Sequence, residues 1–350
     1  MEENAMMNCT RRELLTGVGC LGTLAGLVAL PKFALAETAD DIASAAKKEG
    51  HLVYWGAEEK PKIAAIAKRF NAKYPGIQIE HFRIEPSPAI QRMISEQQAG
   101  QVNVDVLDSP LSNVQPILDR NLLDPFPWSE VFGISKDYQF SDGRCLACWN
   151  LEIPICYNSA KVKPGEIQSW EDLLDPKWRG QILIEARGIA FACLFNKWGE
   201  QKTLDYIKRL KENKPLIVVG GSPTAEALMS ARVSVAIGTY AGKIDFFKQD
   251  GAPVDWALVG PIPAMIYTTL VPKRAHNPNA ARLFCAWLTS ADGQNAAFEY
   301  LRYGFLVGNT LSPNGKKIRD AGIEVVTEAT DPVRAQKMLE TVATAIGALK

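Results

Sequence analysis

The strongest constraint on the fold is a repeated alternation of short apolar strands with amphipathic helices. Segments 51–55, 77–82 and 104–107 are short and apolar, and the intervening segments 61–74 and 89–99 place apolar residues at helical spacing. A strand–helix–strand–helix–strand order indicates a parallel sheet covered by helices. The first part of the chain is therefore predicted to have an α/β fold.

The second half of the chain repeats this alternation. The predicted strands are 182–185, 216–219, 233–237, 254–259 and 266–271, and the predicted helices are 190–198, 203–211, 224–231, one ending at 248, 279–290 and 292–301. The 350 residues suffice for two domains of about 150 residues each. We therefore expect two lobes, each an open, mostly parallel sheet with covering helices. Ligands of such sheets bind at the carboxyl ends of the strands, and two facing lobes form a cleft that closes about a hinge.

Residues 1–36 have the pattern of an export signal. The pair Arg11-Arg12 precedes an uncharged run over 14–31, and Ala34-Leu35-Ala36 has the small residues of a cleavage site. This order is typical of a cleaved signal, and the paired arginines indicate the twin-arginine route. An uncleaved membrane anchor is the alternative, although the run is short and rich in glycine for a span of about 20 residues. We predict a mature periplasmic chain that begins at residue 37.

The charge balance excludes two classes of partner. Lysine plus arginine and aspartate plus glutamate number 39 each, so the formal net charge is zero. A nucleic-acid-binding protein needs a basic stripe, and an anionic membrane surface attracts a polybasic patch. We therefore expect no nucleic-acid partner and no peripheral attachment to a membrane.

The cysteines of the mature chain are predicted to be buried thiols. Cys145 and Cys148 have the spacing of a redox or zinc motif, but the surrounding segment 144–157 predicts a strand. Three residues of a strand span about 10 Å, whereas a disulfide needs Cα atoms within about 7 Å. A disulfide between Cys148 and Cys156 across a hairpin stays open as an alternative. The other two cysteines are Cys193 and Cys285.

Four stretches of the chain together resemble one protein family. They are Leu52-Val53-Tyr54-Trp55-Gly56-Ala57 with the helix ending Phe70-Asn71-Ala72-Lys73-Tyr74-Pro75-Gly76, then Gln98-Ala99-Gly100 before Val104-Asp105-Val106, then Ser169-Trp170-Glu171-Asp172-Leu173-Leu174-Asp175-Pro176-Lys177-Trp178-Arg179-Gly180, and finally His276-Asn277-Pro278-Asn279-Ala280-Ala281-Arg282 with Ala291-Asp292-Gly293-Gln294. In this order they resemble the periplasmic solute-binding proteins of ABC transporters, in the group that contains the iron(III)-binding proteins. The resemblance covers most of the mature chain.

The resemblance implies a type II periplasmic-binding-protein fold with two discontinuous lobes. We expect 37–108 plus about 261–310 to form lobe one, and 109–260 plus about 311–350 to form lobe two. It also implies a small-molecule solute and, as partners, a membrane permease and an ATPase. We expect a monomer without a cofactor and without catalytic residues.

Arg187 is the strongest candidate ligand-binding residue. It follows the predicted strand 182–185 and precedes a helix. A guanidinium beside the free N–H groups of a helix N-terminus suits a carboxylate or a phosphate. The alternative is a structural ion pair with Glu185 or another carboxylate.

Five further residues follow predicted strands or end them. Ser109 and Thr239 are candidate hydroxyl donors, with turn or cap chemistry as the alternative. Tyr240 is a candidate for stacking on the solute or hydrogen bonding to it, and Trp55 for a wall of the cleft, with core packing as the alternative for both. Glu58 is a candidate ligand for an amine or a metal, or a charge at a helix start.

Ferric ion is the first alternative ligand. Iron-binding members hold the ion largely through adjacent tyrosines in the segment that matches 238–241, where this chain has Tyr240 between Thr239 and Ala241. An anionic organic or phosphorus-containing solute is therefore favoured, and Tyr240 is the expected metal ligand if iron binds. A twin-arginine-exported enzyme is the second alternative. The sequence holds no G-x-S-x-G, P-loop or H-E-x-x-H motif to support it.

Overall fold

The computed structural model describes residues 37–304 and 312–349. The predicted export signal lies outside these residues. In the described part the helices are α1 (Ala39–Glu49), α2 (Lys60–Lys73), α3 (Pro86–Gln98), α4 (Gln115–Asp119), α5 (Trp128–Phe132), α6 (Ile189–Trp198), α7 (Glu200–Leu210), α8 (Gly221–Met229), α9 (Ala241–Gln249), α10 (Pro278–Thr289), α11 (Ala291–Leu301), α12 (Pro313–Asp320) and α13 (Pro332–Ile346). None of these helices is long and apolar enough to cross a membrane.

The strands belong to two sheets. They are β1 (His51–Gly56), β2 (Gln78–Arg83), β3 (Val106–Pro110), β4 (Gln139–Phe140), β5 (Cys145–Glu152), β6 (Ile155–Asn158), β7 (Ile182–Glu185), β8 (Leu216–Val218), β9 (Val235–Ile237), β10 (Val254–Trp256), β11 (Ile262–Leu270) and β12 (Val325–Thr327). The predicted alternation of strands and helices is confirmed, because each predicted segment overlaps one of these elements.

Local sequence signals explain where the first helix begins and ends. The Thr38 hydroxyl accepts a hydrogen bond from the Asp41 backbone N–H at 3.2 Å, and the Asp41 carboxylate accepts one from the Thr38 N–H at 3.0 Å. This reciprocal capping box satisfies two N–H groups that the helix itself cannot pair. Gly50 ends α1 with a φ of 66°, a left-handed conformation that favours glycine.

The first sheet combines parallel and antiparallel strands. Its order is β2-β1-β3-β11-β5-β4, and β12 pairs with β11. Strand β1 pairs in parallel with β2 and β3, as the strand–helix alternation predicts. Strand β11 runs antiparallel to both β3 and β5, so the sheet is mixed rather than mostly parallel.

The second sheet places three helix starts at one edge. Its order is β10-β6-β9-β7-β8, and β7 pairs in parallel with both β8 and β9. Helices α6, α8 and α9 follow these three strands closely. Their N-termini therefore meet at the carboxyl edge of the sheet, where ligands of α/β sheets bind.

The strand pairing differs from the predicted division at residue 108. Strands β4 and β5 lie beyond that residue and yet pair within the first sheet. The chain passes to the second sheet only between Glu152 and Ile155, since β6 is the first strand paired there. At the other end of the chain, β12 pairs with β11, while α13 contacts α6 and α7.

The five cysteines of the described residues are buried and free, which confirms the predicted buried thiols. Cys145 and Cys148 belong to different core clusters, as expected for side chains on opposite faces of a strand. Burial raises the pKa of the Cys145 thiol to about 12. No disulfide joins Cys148 to Cys156.

Candidate ligand-binding site

The candidate site forms where strands β7, β8 and β9 end. Arg187 follows β7, Gly220 precedes α8, and Tyr240 immediately precedes α9. Gly238 has a φ of 109°, and a Cβ atom there would lie only 2.3 Å from the Glu185 Cβ. Glycine therefore lets the end of β9 approach the end of β7, which brings Tyr240 next to Arg187.

Arg187 is held by two neighbours. Its Nε donates to Glu185 Oε1 at 2.9 Å, and its Nη2 donates to the Tyr240 hydroxyl at 3.3 Å. The Glu185 side chain is 2% exposed and also accepts from the Gly220 N–H at 3.0 Å. The Arg187 side chain is 49% exposed, and no residue in the described ranges hydrogen-bonds its Nη1. The ion pair therefore orients the guanidinium and leaves one donor edge open.

Tyr240 stands among other aromatic side chains. Burial raises the pKa of the Tyr240 hydroxyl, although Arg187 opposes this shift, so the phenol stays protonated at neutral pH. Burial raises the pKa of Tyr267 on β11 and of Tyr303 after α11, and Tyr240 raises both further, so these two side chains lie near Tyr240. Trp149 on β5 joins them, with ring centroids 6.2 Å from Tyr267 and 5.9 Å from Tyr303.

Glu58 approaches this group from the loop after β1. Its carboxylate accepts a hydrogen bond from the Tyr303 hydroxyl, and burial raises the pKa of Glu58. The positive charge of Lys243 on α9 lowers that pKa. The Lys243 Nζ donates to the Ser222 hydroxyl at 2.6 Å. The structure therefore brings Glu58, from the first sheet, to Lys243, Tyr240 and the surroundings of Arg187, from the second.

Three predicted site residues are placed differently. Trp55 is 2% exposed and packs in the core, with the Arg92 guanidinium 4.5 Å from its ring. Its side chain faces α3, which is the core packing expected as the alternative. Ser109 and Thr239 are fully buried. The Ser109 hydroxyl donates to the Pro110 carbonyl at 3.2 Å, and Thr239 Oγ1 has no hydrogen-bond partner in the described part of the chain.

Sequence reasoning missed Tyr267, Tyr303, Lys243 and Trp149. Tyr267 and Trp149 lie inside predicted strands, and Tyr303 follows a predicted helix, so none of the three lies just after a predicted strand. One local signal was available, namely Gly220-Gly221 directly after a strand. A Cβ atom on Gly221 would lie 3.4 Å from the Tyr240 ring, so this glycine pair marks the close approach at the site.

The fold and the position of the site define a class, the two-lobe binding proteins. The model of the bacterial extracellular solute-binding protein family matches residues 65–322, so the chain belongs to this family. Its members are substrate-binding proteins rather than enzymes. An uncharacterized protein of Haemophilus influenzae is 27% identical over 150 residues, which make up 40% of this chain and 42% of that relative.

Two solved structures illustrate the same fold. The periplasmic binding protein AfuA from Actinobacillus pleuropneumoniae, with fructose-6-phosphate bound, is 20% identical with a TM-score of 0.68, covering 85% of this chain and 99% of AfuA. Iron-bound HitA from Pseudomonas aeruginosa is 17% identical with a TM-score of 0.66, covering 85% of this chain and 99% of HitA. The chain therefore has the type II periplasmic-binding-protein fold.

Proposed function

We propose that this protein is the periplasmic solute-binding component of an ABC uptake transporter and that its solute carries an anionic group. The observation that carries this proposal is the oriented, half-exposed Arg187 at the carboxyl edge of the second sheet. Arg187 and Lys243 supply two positive charges, and the N-termini of α8 and α9 lie beside them. A carboxylate, phosphate or phosphonate group fits this donor set.

The tyrosines would contact the rest of the solute. Tyr240, Tyr267 and Tyr303 are each partly exposed and combine an apolar ring with a hydroxyl group. Glu58 would accept from a hydroxyl or amino group of the solute. The likeness in fold to AfuA, which holds fructose-6-phosphate, agrees with a phosphorylated or carboxylated organic solute.

Closure of the lobes would commit the solute to transport. Glu58 follows β1 of the first sheet, and Lys243 lies on α9, which follows β9 of the second sheet. A solute that contacts both residues would therefore stabilise the closed form. A ligand favours that form only by its differential contacts with it. The closed protein would then present the solute to a permease and an ATPase at the membrane. We further propose that the chain acts as a monomer after export by the twin-arginine route.

Ferric ion is the second candidate, and one observation favours it. The fold gathers Tyr240, Tyr267 and Tyr303 with Glu58, although only Tyr240 lies in the segment that the iron-binding members use. Phenolate oxygens suit a hard trivalent ion, and HitA is iron-bound. Arg187 opposes a cation at this position. Within the described residues, no group of three His, Cys, Asp or Glu side chains could hold a metal ion.

Native mass spectrometry of the mature protein from its own periplasm tests the proposal. We expect an added mass that corresponds to an anionic organic or phosphorus-containing compound. Arg187→Gln should abolish this added mass, whereas Arg319→Gln, which removes an exposed charge elsewhere, should retain it. An added iron atom would overturn the anion proposal in favour of the second candidate. Turnover of the bound compound would instead identify an enzyme.

A further inference from the structure

A cavity outside the candidate site shares no residue with it. Its volume is about 190 Å³, whereas a cavity needs only about 10–15 Å³ of such volume to hold one water molecule. It lies beside the end of β11 and the start of α10, and its lining includes Phe126, Trp128, Arg144, Arg274 and Arg282.

The three arginines of this cavity have no buried acidic partner among residues 37–304 and 312–349. Arg282 stacks on the Phe126 ring at 4.7 Å, and Arg274 Nη2 donates to the Gln97 carbonyl at 3.2 Å. Arg144 Nε is buried and has no hydrogen-bond partner in the ranges that the structure describes. The acid nearest to Arg144 is Asp142, which lies at 3.7 Å and is 88% exposed.

The one carboxylate that the described residues contribute to the cavity lining belongs to another ion pair. Asp124 Oδ1 lies 3.5 Å from the Lys273 Nζ, and its side chain is 59% exposed. The three arginines that line the cavity carry like charges, and the buried Arg144 Nε without a partner is unfavourable. An oxyanion would neutralise them and accept bidentate hydrogen bonds from their planar forks.

We propose that this cavity binds a small phosphate-type oxyanion, separately from the solute of the cleft. The Phe126 ring positions Arg282 by stacking, and Trp128, which also lines the cavity, packs edge-on against Phe126 with ring centroids 4.6 Å apart. Free inorganic phosphate and the phosphoryl group of a small ester present the same oxygens. The shared chemistry is therefore a tetrahedral oxyanion held by Arg144, Arg274 and Arg282.

Calorimetric titration of the mature protein with inorganic phosphate at low ionic strength tests this site. The double variant Arg144→Gln/Arg282→Gln should weaken phosphate binding by about tenfold or more, because it removes two of the three guanidinium groups. Arg319→Gln is the matched control for loss of an exposed arginine and should bind phosphate as the wild type does. Arg187→Gln removes the anion site proposed in the cleft, so phosphate binding that persists in this variant and is lost in the double variant belongs to the cavity. Equal affinity of wild type and double variant would overturn the proposal, as would a loss confined to Arg187→Gln.

Soaking a wild-type crystal in tungstate tests the site without any variant, so the result does not depend on whether a variant folds. An anomalous peak among the three guanidinium groups supports the site, and a peak in the cleft alone overturns it. Titration with glycerol phosphate separates the two sources of the oxyanion. Binding of the ester at least as tight as that of phosphate assigns the site to a phosphoryl group, and weaker binding assigns it to the free ion.

Discussion

Two buried glutamates end strands of the two sheets, and their surroundings differ. Glu185 at the end of β7 is 2% exposed, and Glu152 at the end of β5 is 1% exposed. Glu185 accepts from Arg187 Nε at 2.9 Å and from the Gly220 N–H at 3.0 Å. No lysine or arginine of the described residues hydrogen-bonds Glu152, and burial, together with the nearby charge of Asp245, raises its pKa to about 8.

The difference shows how a neighbouring cation determines the protonation state of a buried carboxyl group. Burial of a carboxylate is unfavourable unless a partner compensates it, and an uncompensated group takes up a proton instead. Glu152 is therefore largely protonated at pH 7. Glu185 forms an ion pair that orients Arg187 toward the candidate site. A buried glutamate is thus a neutral group of the interior at position 152 and a group that positions Arg187 at position 185.

Arg187→Gln removes the cation that distinguishes Glu185 from Glu152. We expect the affinity for the solute identified by mass spectrometry to fall by about 100-fold, which corresponds to about 3 kcal/mol. The thermal unfolding temperature should change little, because the side chain is half exposed. Calorimetric titration measures the affinity, with Arg319→Gln as control. An unchanged affinity would remove Arg187 from the site.

Glu185→Gln should lower stability. Glu185 Oε1 accepts from Arg187 Nε and from the Gly220 N–H, and Oε2 accepts from the Arg187 backbone N–H at 3.2 Å. The amide retains only one acceptor oxygen and loses the negative charge, so one of these donors loses its partner and Arg187 loses its ion pair. Hydrogen bonds to charged groups contribute about 1.5–3 kcal/mol, and we expect a loss of about 2 kcal/mol in the free energy of unfolding at pH 8. Urea denaturation measures this value, and the exposed Glu340→Gln is the matched control. Stability equal to that of the wild type would show that the ion pair is dispensable for folding.

Glu152→Gln should instead raise the free energy of unfolding at the same pH. A folded-state pKa of about 8, against 4.5 for an ordinary glutamate, means that the folded protein binds the proton more tightly. Wild-type stability should therefore be full below pH 4.5 and fall as the pH rises to about 8. At pH 8 the variant should be more stable than the wild type by on the order of 4 kcal/mol, and at pH 5 the difference should shrink to below about 1 kcal/mol.

Urea denaturation at pH 5, 7 and 8 separates Glu152 from two other buried acids. Burial raises the pKa of Asp108 and of Glu328 to about 7, so these groups lower the stability mainly between pH 4 and pH 7. The change between pH 7 and pH 8 belongs chiefly to Glu152 and should flatten in the variant. A wild-type slope that persists there in Glu152→Gln would contradict the assignment.

Much of the second sheet could be predicted from the sequence because its signals are local. The strand at 182–185 is a short apolar run, and the structure has the same bounds for β7. Arg187 and Tyr240 were both predicted to lie at strand ends, and the parallel pairing of β7 with β9 brings them together. For residues at this edge, apolar periodicity and turn chemistry were sufficient.

The remaining features depend on pairing between distant segments. Trp55 lies on a strand with apolar neighbours on both faces, and the sequence does not show which face α3 covers. Tyr267 reaches Tyr240 only because β11 returns antiparallel beside β3 and β5. The same return keeps β5 in the first sheet, which is why the predicted division at residue 108 differs from the pairing. Local patterns contain no signal for such long-range register.

Tyr240→Phe is the mildest test of how Arg187 is held. The substitution removes one hydrogen bond of 3.3 Å to Arg187 Nη2 and leaves the ion pair with Glu185 intact. We expect solute affinity to fall by about fivefold, or about 1 kcal/mol, with little change in stability. Calorimetric titration compares it with Tyr300→Phe, which removes a hydroxyl outside the site. If Tyr240→Phe weakened binding as much as Arg187→Gln does, the Tyr240 hydroxyl would itself bind the solute, and Glu185 alone would not suffice to orient the guanidinium.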